Sequence, residues 1–506
     1  MKNDTTSQDV KIKTDKVIFF SSLIFLLVFT IPLLIWPEES QHTLNSLKVV
    51  IEDNVGSIYQ LLAILVLIFV LWLAISRYGH IVLGDNDYNF STFSWASMLF
   101  CAGVATGILY WGTIEWAYYI DTPPLGAEVG SNTAIELAST YGMFHWGVIG
   151  WAFYSLPAIA VGYMYYVKKV PVLRISTACS RVLGKYTDGI LGKSLDILFM
   201  IGLLGSTGTS MGLGTPMISA GVSKILQIED SLNLKLVIIF ICAIIFSISV
   251  YSGLSKGIKR LSKFNTITAF LFLLLVFIVG PTTFMFKMSL NSAGLLVQDF
   301  ARMLTWTDPL TNSRFVEDWT IFYWAWWVAV GPFMGIFIAK ISGGRSIRQI
   351  IFGTIGFGSF GCLLFYGVLG NYALHLELTE QLAVVDMIRD GNPAEAIVMI
   401  ISSIIPGNNI ILILFCVMSA VFMATSFDST SYTLASCATE KLPAKHDPSR
   451  WQRLFWAFVL IILPIALMYV GGLESLKIAV LISALPLIFV YIILSISLYK
   501  NLKDHS

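Results

Sequence analysis

Twelve long apolar stretches limit what this chain can fold into. Each has roughly the 20 residues that a helix needs to cross the hydrocarbon core of a bilayer. The 506 residues are 56% apolar and 12% charged, whereas a soluble globular chain carries roughly 25% charged residues. The formal charge of +1 gives no reason to expect nucleic acid or a strongly acidic partner. The sequence therefore predicts an all-α integral membrane protein with twelve transmembrane helices.

The predicted spans follow these stretches in chain order. They are Val17–Trp36, Ile58–Ser76, Ser94–Ile120, Ser139–Val167, Leu195–Val222, Leu236–Tyr251, Ile267–Phe286, Trp319–Ile341, Ile350–Leu374, Ile410–Ala435, Leu454–Val470 and Ile478–Leu498. The first stretch is longer than the apolar core of a signal peptide, which has about 7 to 15 residues, so we interpret it as an uncleaved span. Because the number of spans is even, both termini are predicted on one side.

Basic residues concentrate in alternate loops. They follow the fourth, sixth, eighth and tenth spans: Lys168, Lys169, Arg174, Arg181, Lys185, Lys256, Lys259, Arg260, Lys263, Arg345, Arg348, Lys441, Lys445, Arg450 and Arg453. The loop 121–138, on the opposite side, contains no lysine or arginine. Since loops rich in Lys and Arg stay in the cytoplasm, both termini are predicted to be cytoplasmic.

Two outer loops have helical patterns of their own. Met288–Leu304 spaces its apolar residues along one face, as in an amphipathic helix that lies on the membrane surface. Ala394–Ile405 is predicted to be a second, partly buried outer helix or a re-entrant segment.

The third span contains two glycines, Gly103 and Gly107, on either side of a small-residue stretch that includes Ala105. Glycine permits an irregular backbone, and unwound backbone inside a membrane is tolerated where it lines a cavity. Small residues also allow helices to pack closely without any break. Both interpretations remain open on this pattern alone.

The tenth span contains a dense polar patch from Ala424 to Ser431, with five hydroxyl groups and the carboxyl of Asp428. Hydroxyl and carbonyl oxygens suit an alkali cation, whereas hydroxyls in a helix often bond only to carbonyls of their own helix. Asp428 and Glu115 are the principal acidic residues placed deep in spans. An ionisable group within the membrane is a functional candidate, although Glu115 could equally be a structural hydrogen-bonding hub.

Aromatic residues crowd two of the spans. The eighth contains Trp324, Trp326 and Trp327, and the fourth contains Trp146, Trp151 and Tyr154. Tryptophans at helix ends form interfacial belts, but Trp326 and Trp327 lie further inside. A trimethylammonium group has no N–H to donate, and cation–π attraction to a desolvated tryptophan supplies about 2 kcal/mol or more. These spans therefore predict a site for a quaternary-ammonium solute.

Other function classes receive little support. The six cysteines have no CxxC spacing, so neither a zinc site nor a disulfide framework is expected. Of the six histidines only His145 is expected within a span, and no catalytic grouping emerges. A channel would need a polar or charged pore lining, which the scarcity of intramembrane charge argues against. We therefore predict a secondary transporter and not an enzyme.

At these residues the chain resembles the betaine/choline/carnitine transporter family over nearly its whole length. The stretches that carry the resemblance are Phe322–Trp327, Ala339–Arg345, Tyr110–Glu115, Phe144–Gly147 and Gly253–Gly257. It implies a multi-pass protein of the bacterial inner membrane with two inverted five-helix repeats, a LeuT-like arrangement, preceded by two extra helices. The implied divisions are a tail 1–16, extra helices 17–90, repeats 91–287 and 319–498, an outer helix with linker 288–318, and a tail 499–506.

The resemblance also implies site residues and partners. The substrate's ammonium group is expected in an aromatic box of Tyr118, Trp146, Trp326 and Trp327, and the path to it would be lined by Trp151, Tyr154 and Trp324. The third span is expected to break at Gly103, Ala105 and Gly107. Membrane lipid and two further copies of the chain, in a homotrimer, are the other expected partners.

For the coupling ion, the resemblance points in two directions. Sodium symport is suggested by the hydroxyl pair of Thr425 and Ser426. The nearby carbonyls are those of Phe422, Cys101 and Val104. Symport is also suggested by Asn265, an uncharged residue at the position where exchangers have arginine. Sodium-independent exchange of carnitine for γ-butyrobetaine is suggested by Met334, since a thioether is a poor sodium ligand, and by Leu203, which replaces the partner of Thr207 at a second sodium position. We predict one sodium site and no other cofactor, and the preferred solute stays open.

Overall fold

The structure is a computed structural model, and the residues it describes are helical nearly throughout. It describes 12–505 except 86, 105, 312, 444–445 and 471, and leaves out the side chains of 204–209, 255–256, 463–464, 467–470, 472–473 and 476. Among these residues the extended pairings are two isolated antiparallel bridges, Thr14 with Thr439 and Val82 with Ser346. The predicted all-α class is confirmed for this part of the chain.

Within the described residues, twenty α-helices make up the bundle. They are α1 Lys16–Ile35, α2 Pro37–Ile75, α3 Thr92–Val104, α4 Gly107–Asp121, α5 Asn132–His145, α6 Val148–Gly162, α7 Ile175–Ala178, α8 Ser180–Leu183, α9 Ile190–Leu226, α10 Leu232–Ser252, α11 Lys259–Val279, α12 Thr282–Thr305, α13 Phe322–Ile341, α14 Ile347–Phe365, α15 Asn371–Leu378, α16 Val384–Arg389, α17 Pro393–Ser403, α18 Ile410–Cys437, α19 Arg450–Val470 and α20 Gly472–Lys503. Wider π-helical turns extend or join some of them, at Tyr163–Val167, Leu254–Ile258, Val316–Ile321 and Tyr366–Gly370.

Nine helical segments among the described residues are long and apolar enough to cross a membrane. The number is ten if α3 and α4, which are bent by 56° at their junction, form one broken span. Helices α9 and α19 coincide with the fifth and eleventh predicted spans but are not among those ten. A multi-pass membrane protein is thus confirmed, whereas the number twelve and the inverted repeat remain predictions.

Helix α13 lies at the centre of the bundle. The most apolar window of Val316–Ile341 is 100% buried, compared with 33% for α1 and for α10. A helix buried all round is a core helix, and one with a large exposed apolar face borders the lipid. Helix α13 packs against α6, α9 and α20, and α6 also contacts α14. The aromatic residues of α6 and α13 therefore meet inside the protein.

Prolines explain two helix boundaries that differ from the predicted spans. Helix α2 begins at Pro37 and not Ile58, because proline fits a first turn and Glu38 and Glu39 favour the helix N-terminus. The amphipathic helix begins at Thr282 and not Met288, since Gly280 and Pro281 end α11 early.

The fourth predicted span is broken between α5 and α6. Trp146 ends α5, and Gly147 leaves the helical region with ψ −144°. A Cβ atom at Gly147 would lie 2.7 Å from the carbonyl oxygen of Met143. Glycine therefore permits a turn here that places Trp146 at a helix end inside the bundle.

Both described chain ends lie at the same end of the bundle. The Asp15 N–H donates to the Ala438 carbonyl at 2.8 Å, and the Asp15 carboxylate pairs with Arg174 at 3.0 Å. Near the other terminus, the Tyr163 hydroxyl donates to the Asn501 carbonyl at 3.1 Å. We call this the terminal end; the start of α20 lies at the opposite end, where Lys477 contacts Trp111 of α4 and Phe322 of α13.

Candidate functional site

The junction of α3 and α4 lies against aromatic rings. A Cβ atom at Gly103 would lie 2.7 Å from the Trp151 ring, and one at Gly107 would lie 3.1 Å from the Trp146 ring. The Tyr154 hydroxyl donates to the Gly103 carbonyl at 3.3 Å. Ala105 lies outside the described residues. The two glycines therefore provide space for the tryptophans as well as a bend.

Three tryptophans, which we call the tryptophan trio, meet beside this junction: Trp146, Trp326 and Trp327. The rings of Trp326 and Trp327 are nearly parallel, at 13°, with centroids 5.8 Å apart. The Trp146 ring stands edge-on to both, at 5.7 Å from Trp326 and 5.1 Å from Trp327. All three side chains are buried. Indole faces and edges thus converge on one point in the protein interior.

Hydrogen bonds and glycines hold the trio in place. The Trp327 indole N–H donates to the His145 carbonyl at 3.0 Å, where α5 ends. A Cβ atom at Gly150 would lie 2.7 Å from the Trp327 ring, so α6 can approach α13 only because this residue is glycine. The break between α5 and α6 and the small face of α6 together position the trio.

Two further predicted residues, Trp151 and Tyr154, extend the cluster. The Trp151 indole N–H donates to the Trp146 carbonyl at 3.2 Å. The Tyr154 ring lies 5.4 Å from Trp151 and 5.7 Å from Trp327. Five of the seven predicted substrate residues are therefore brought together.

The other two predicted substrate residues, Trp324 and Tyr118, face elsewhere. Trp324 packs against Phe144 at 5.5 Å, on another side of α13. The half-buried Tyr118 ring lies 5.9 Å from Trp111 and 5.3 Å from Trp319. Neither residue has a ring contact with the trio among the described aromatic pairs.

Tyr118 borders a second aromatic cluster, which we call the Trp319 cage, formed by Trp111, Trp319 and Phe322. The Lys477 amine of α20 lies over all three rings, 4.3 Å from the Trp319 centroid, 5.4 Å from Phe322 and 5.8 Å from Trp111. The sequence pattern did not predict this cluster. Its only sequence signal is a lysine at the start of the last apolar stretch.

Glu115 is a buried hydrogen-bonding hub. Its carboxylate accepts hydrogen bonds from Tyr119 and Tyr366, and from Tyr323 at 2.7 Å. The His145 Nδ1 atom lies 3.6 Å from the same carboxylate. Since the Tyr323 ring also stacks on Trp326 at 6.1 Å, the hub supports the trio from one side.

The predicted cation ligands on α18 bond to their own helix. The hydroxyls of Thr425 and Ser426 both donate to the Phe422 carbonyl, at 2.8 and 3.1 Å. On α3, the Cys101 thiol contacts the Thr266 hydroxyl at 3.4 Å and the Asn265 amide at 3.9 Å.

Some of the predicted cation ligands line a cavity of about 30 Å³. Its lining includes Val104, Ser426 and Trp326, together with Leu203. Thr425, Phe422 and Cys101 do not line it, and Met334 is buried within α13. Within the described residues, no group of three or more His, Cys, Asp or Glu side chains could hold a metal ion. The side chain of Thr207 lies outside the described residues.

Comparison with known proteins identifies the family. Residues 17–506 match the family described as betaine/carnitine/choline family transporter. A carnitine transporter of Acinetobacter baumannii is 32% identical over 498 residues, which cover 98% of this chain and 90% of that protein. An uncharacterized transporter of Escherichia coli, YeaV, is 34% identical over 425 residues, which cover 84% of this chain and 88% of that protein. The chain therefore belongs to the betaine/carnitine/choline transporter family.

Proposed function

We propose that this transporter carries quaternary-ammonium solutes such as glycine betaine, carnitine or choline by alternating access, with the ammonium group held by the tryptophan trio. The observation that carries this proposal is the convergence of Trp146, Trp326 and Trp327 beside the bend between α3 and α4. A quaternary ammonium group cannot donate a hydrogen bond, so aromatic faces in a dry interior are the groups that suit it.

Binding requires the trio to open. The ring centroids are 5.1 to 5.8 Å apart, and a bound cation has to lie within about 6 Å of each centroid. The neighbouring cavity of about 30 Å³ has room for about one water molecule. The solute therefore has to part the rings, and the breaks that precede α4 and α6 supply the backbone freedom for that movement.

For coupling, we propose one sodium ion between α3 and α18, with Thr425, Ser426 and the carbonyls of Phe422, Cys101 and Val104 as ligands. The cavity supports this placement because it brings Ser426 and Val104 to one space. An ion that ties α3 to α18 favours the conformation in which both helices contribute oxygens. Its effect on the equilibrium equals its difference in affinity for the two conformations.

A sodium-independent exchanger is the second candidate. The back-bonded hydroxyls of Thr425 and Ser426 favour it, because hydroxyls satisfied within their own helix need no ion. Leu203 in the cavity lining adds an apolar wall where an oxygen ligand would help sodium binding. In this case Met334 is the residue to examine.

The same proposal includes orientation and assembly. We propose that the terminal end faces the cytoplasm of a bacterial cell, since it carries the basic loops. We also propose a homotrimer in which α12 contributes to the contact, because Leu290 and Val297 are exposed apolar residues on it, at 64% and 83%. Light scattering of the purified protein measures the number of chains; a mass of one chain would contradict this assembly.

Uptake into proteoliposomes tests the transport mode. Vesicles are prepared empty or loaded with unlabelled carnitine, and uptake of radiolabelled glycine betaine, carnitine and choline is followed with and without an inward sodium gradient. Symport predicts sodium-dependent uptake into empty vesicles. Uptake that needs internal substrate and ignores sodium identifies an exchanger, and no uptake of any of these solutes contradicts the proposed substrate class.

A matched pair of variants tests the sodium ligands. Replacing both Thr425 and Ser426 by alanine should raise the sodium concentration for half-maximal uptake by about 10-fold or more, since each lost oxygen ligand weakens the ion site. Ser431→Ala is the control, because that hydroxyl bonds to the Asp428 carbonyl of the same helix at 3.1 Å. An equal sodium response in both variants would contradict the site.

A further inference from the structure

We propose that Lys477 determines solute specificity: its ammonium group occupies the Trp319 cage, and an incoming solute has to displace it. This inference rests on the proposed transport of quaternary-ammonium solutes. The lysine amine is a cation of the same charge as the solute's ammonium group and is held by the same cation–π chemistry. Lys477 therefore competes with the ammonium group of the solute for the rings of the Trp319 cage.

The contacts of Lys477 are those of a caged cation. The amine lies 4.3 Å from the Trp319 centroid, and Trp111 and Phe322 enclose it on other sides. Lys477 is 8% exposed and Trp319 is 5% exposed. Removal of water from such a contact strengthens the cation–π attraction.

An ion pair alone does not account for this position. Lys477 pairs with Glu474 at 3.3 Å, and Lys48 also approaches Glu474, at 3.8 Å. Lys48 satisfies its charge through Asp318 at 2.9 Å, and the described cation–π contacts do not place its amine over a ring. The same carboxylate is thus shared by two lysines, of which Lys477 is the one placed in the cage.

The cage is connected to the tryptophan trio along α13. Phe322 lies 5.5 Å from Trp326, and Trp111 lies 6.4 Å from Tyr323, whose ring stacks on Trp326. Trp319 lies in the π-helical turn Val316–Ile321 directly before α13, and Phe322 and Trp326, four residues apart, share one face of α13. A solute that enters from the end opposite the termini meets the cage before it meets the trio.

Displacement of Lys477 has a different cost for different solutes. A solute with a carboxylate, such as glycine betaine or carnitine, brings no net charge and offers the displaced amine a new partner. Choline brings a positive charge and no carboxylate, so it leaves two cations beside each other. Since like charges repel across a poorly solvated site, Lys477 should favour zwitterionic solutes over cationic ones.

The test compares solute preference in full-length protein in proteoliposomes. Lys477→Met and Lys477→Gln both remove the charge and should raise the ratio of choline to glycine betaine uptake efficiency by about 10-fold. Lys477→Arg keeps a cation over the rings and should keep the wild-type ratio. Lys48→Met is the matched control. It removes the other lysine that pairs with the Glu474 carboxylate, at a position outside the cage, and should leave the ratio unchanged.

An unchanged ratio in the methionine and glutamine variants would overturn the inference. The wild-type protein gives an independent readout: choline should inhibit glycine betaine uptake about 10-fold more weakly than carnitine does, and equal inhibition would also overturn it. Failure of the proposed function is distinguishable, because the wild-type protein would then take up none of these solutes.

Discussion

The tryptophan trio and the Trp319 cage are both built of aromatic side chains and both include residues of α13, yet different groups face their rings. In the trio, the rings of Trp146, Trp326 and Trp327 pack on one another. In the cage, the rings surround the amine of Lys477, which the chain itself supplies. Aromatic clusters of one kind can therefore either pack on themselves or hold a cation that the chain supplies.

The supports of the two clusters also differ. The trio rests on two helix breaks, on the glycines that face its rings, and on the carboxylate hub of Glu115. The cage rests on the continuous start of α20 and on the ion pairs around Glu474. Movement of the backbone should therefore reshape the trio strongly, whereas the cage should change mainly when the lysine leaves.

The largest expected effect is the loss of the trio. Replacing both Trp326 and Trp327 by leucine should lower uptake by more than about 100-fold, because each ring contributes about 2 kcal/mol to cation binding. Trp319→Leu should lower uptake only a few-fold, since the cage holds a lysine and not the bound solute. Trp72→Leu, at a lipid-facing position that is 36% exposed, is the control in the same uptake assay. A larger loss in Trp319→Leu than in the double variant would reverse the comparison.

The next effect concerns the junction of α3 and α4. Gly103→Ala places a Cβ atom 2.7 Å from the Trp151 ring, and overpacking of this kind costs about 1–3 kcal/mol. Uptake should fall by about 10-fold or more. Gly356→Ala on α14 is the matched control, because no atom lies within 4 Å of its added Cβ. Normal uptake by the Gly103 variant would show that the trio does not depend on this close approach.

Neutralising the hub should have a smaller effect. Glu115→Gln keeps the shape but cannot accept all three tyrosine hydrogen bonds without turning its own amide N–H toward a hydroxyl, so uptake should fall by roughly 10-fold. Glu395→Gln, at an exposed position in the first turn of α17, is the control. Unchanged uptake in the Glu115 variant would mean that the carboxylate does not position the trio.

The smallest effect lies at the terminal end, far from both clusters. Burial raises the pKa of Asp15, but Arg174, the Ile18 N–H and Lys193 outweigh it, so that the pKa is lowered overall. A lowered folded-state pKa contributes stability above about pH 4, and this stability is lost as the pH falls through the folded value. Asp15→Asn keeps the helix cap and removes the charge, so it should cost about 1 kcal/mol at pH 7.

Thermal unfolding at two pH values checks the Asp15 prediction. The difference between wild type and Asp15→Asn should be present at pH 7 and should disappear at acid pH, where both side chains are neutral. Uptake by the folded variant should equal that of the wild type. A difference that persists at acid pH would assign the effect to the helix cap and not to the ion pairs.

Much of the fold could be predicted because hydropathy reports the length of each apolar stretch directly. The described helices follow the predicted spans, and the boundaries moved where a single residue decides, as at Pro37 and Pro281. The break at Gly147 was missed because hydropathy does not distinguish a straight helix from a bent one. Glycine is required at position 147 because the Met143 carbonyl lies close to it, and only the three-dimensional structure shows this contact.

The site could be predicted only in part because residue type does not fix direction. At about 100° per residue, Trp324 lies about 200° from Trp326 but only about 60° from Trp327 around α13, so spacing alone does not decide whether its ring faces the trio. Tyr118 is seven residues after Trp111, which is two helical turns, so the two share a face. The Lys477 contact joins distant parts of the chain and leaves no local pattern.

Competition with a carbon isostere tests the central claim most directly. In 3,3-dimethylbutanoate a carbon atom replaces the nitrogen of glycine betaine, so the shape is kept and the positive charge is removed. If the trio recognises the charge through its rings, this compound should displace radiolabelled glycine betaine from the purified wild-type protein at least about 100-fold more weakly than unlabelled glycine betaine does. Displacement by both compounds at similar concentrations would contradict cation recognition and leave only an apolar pocket.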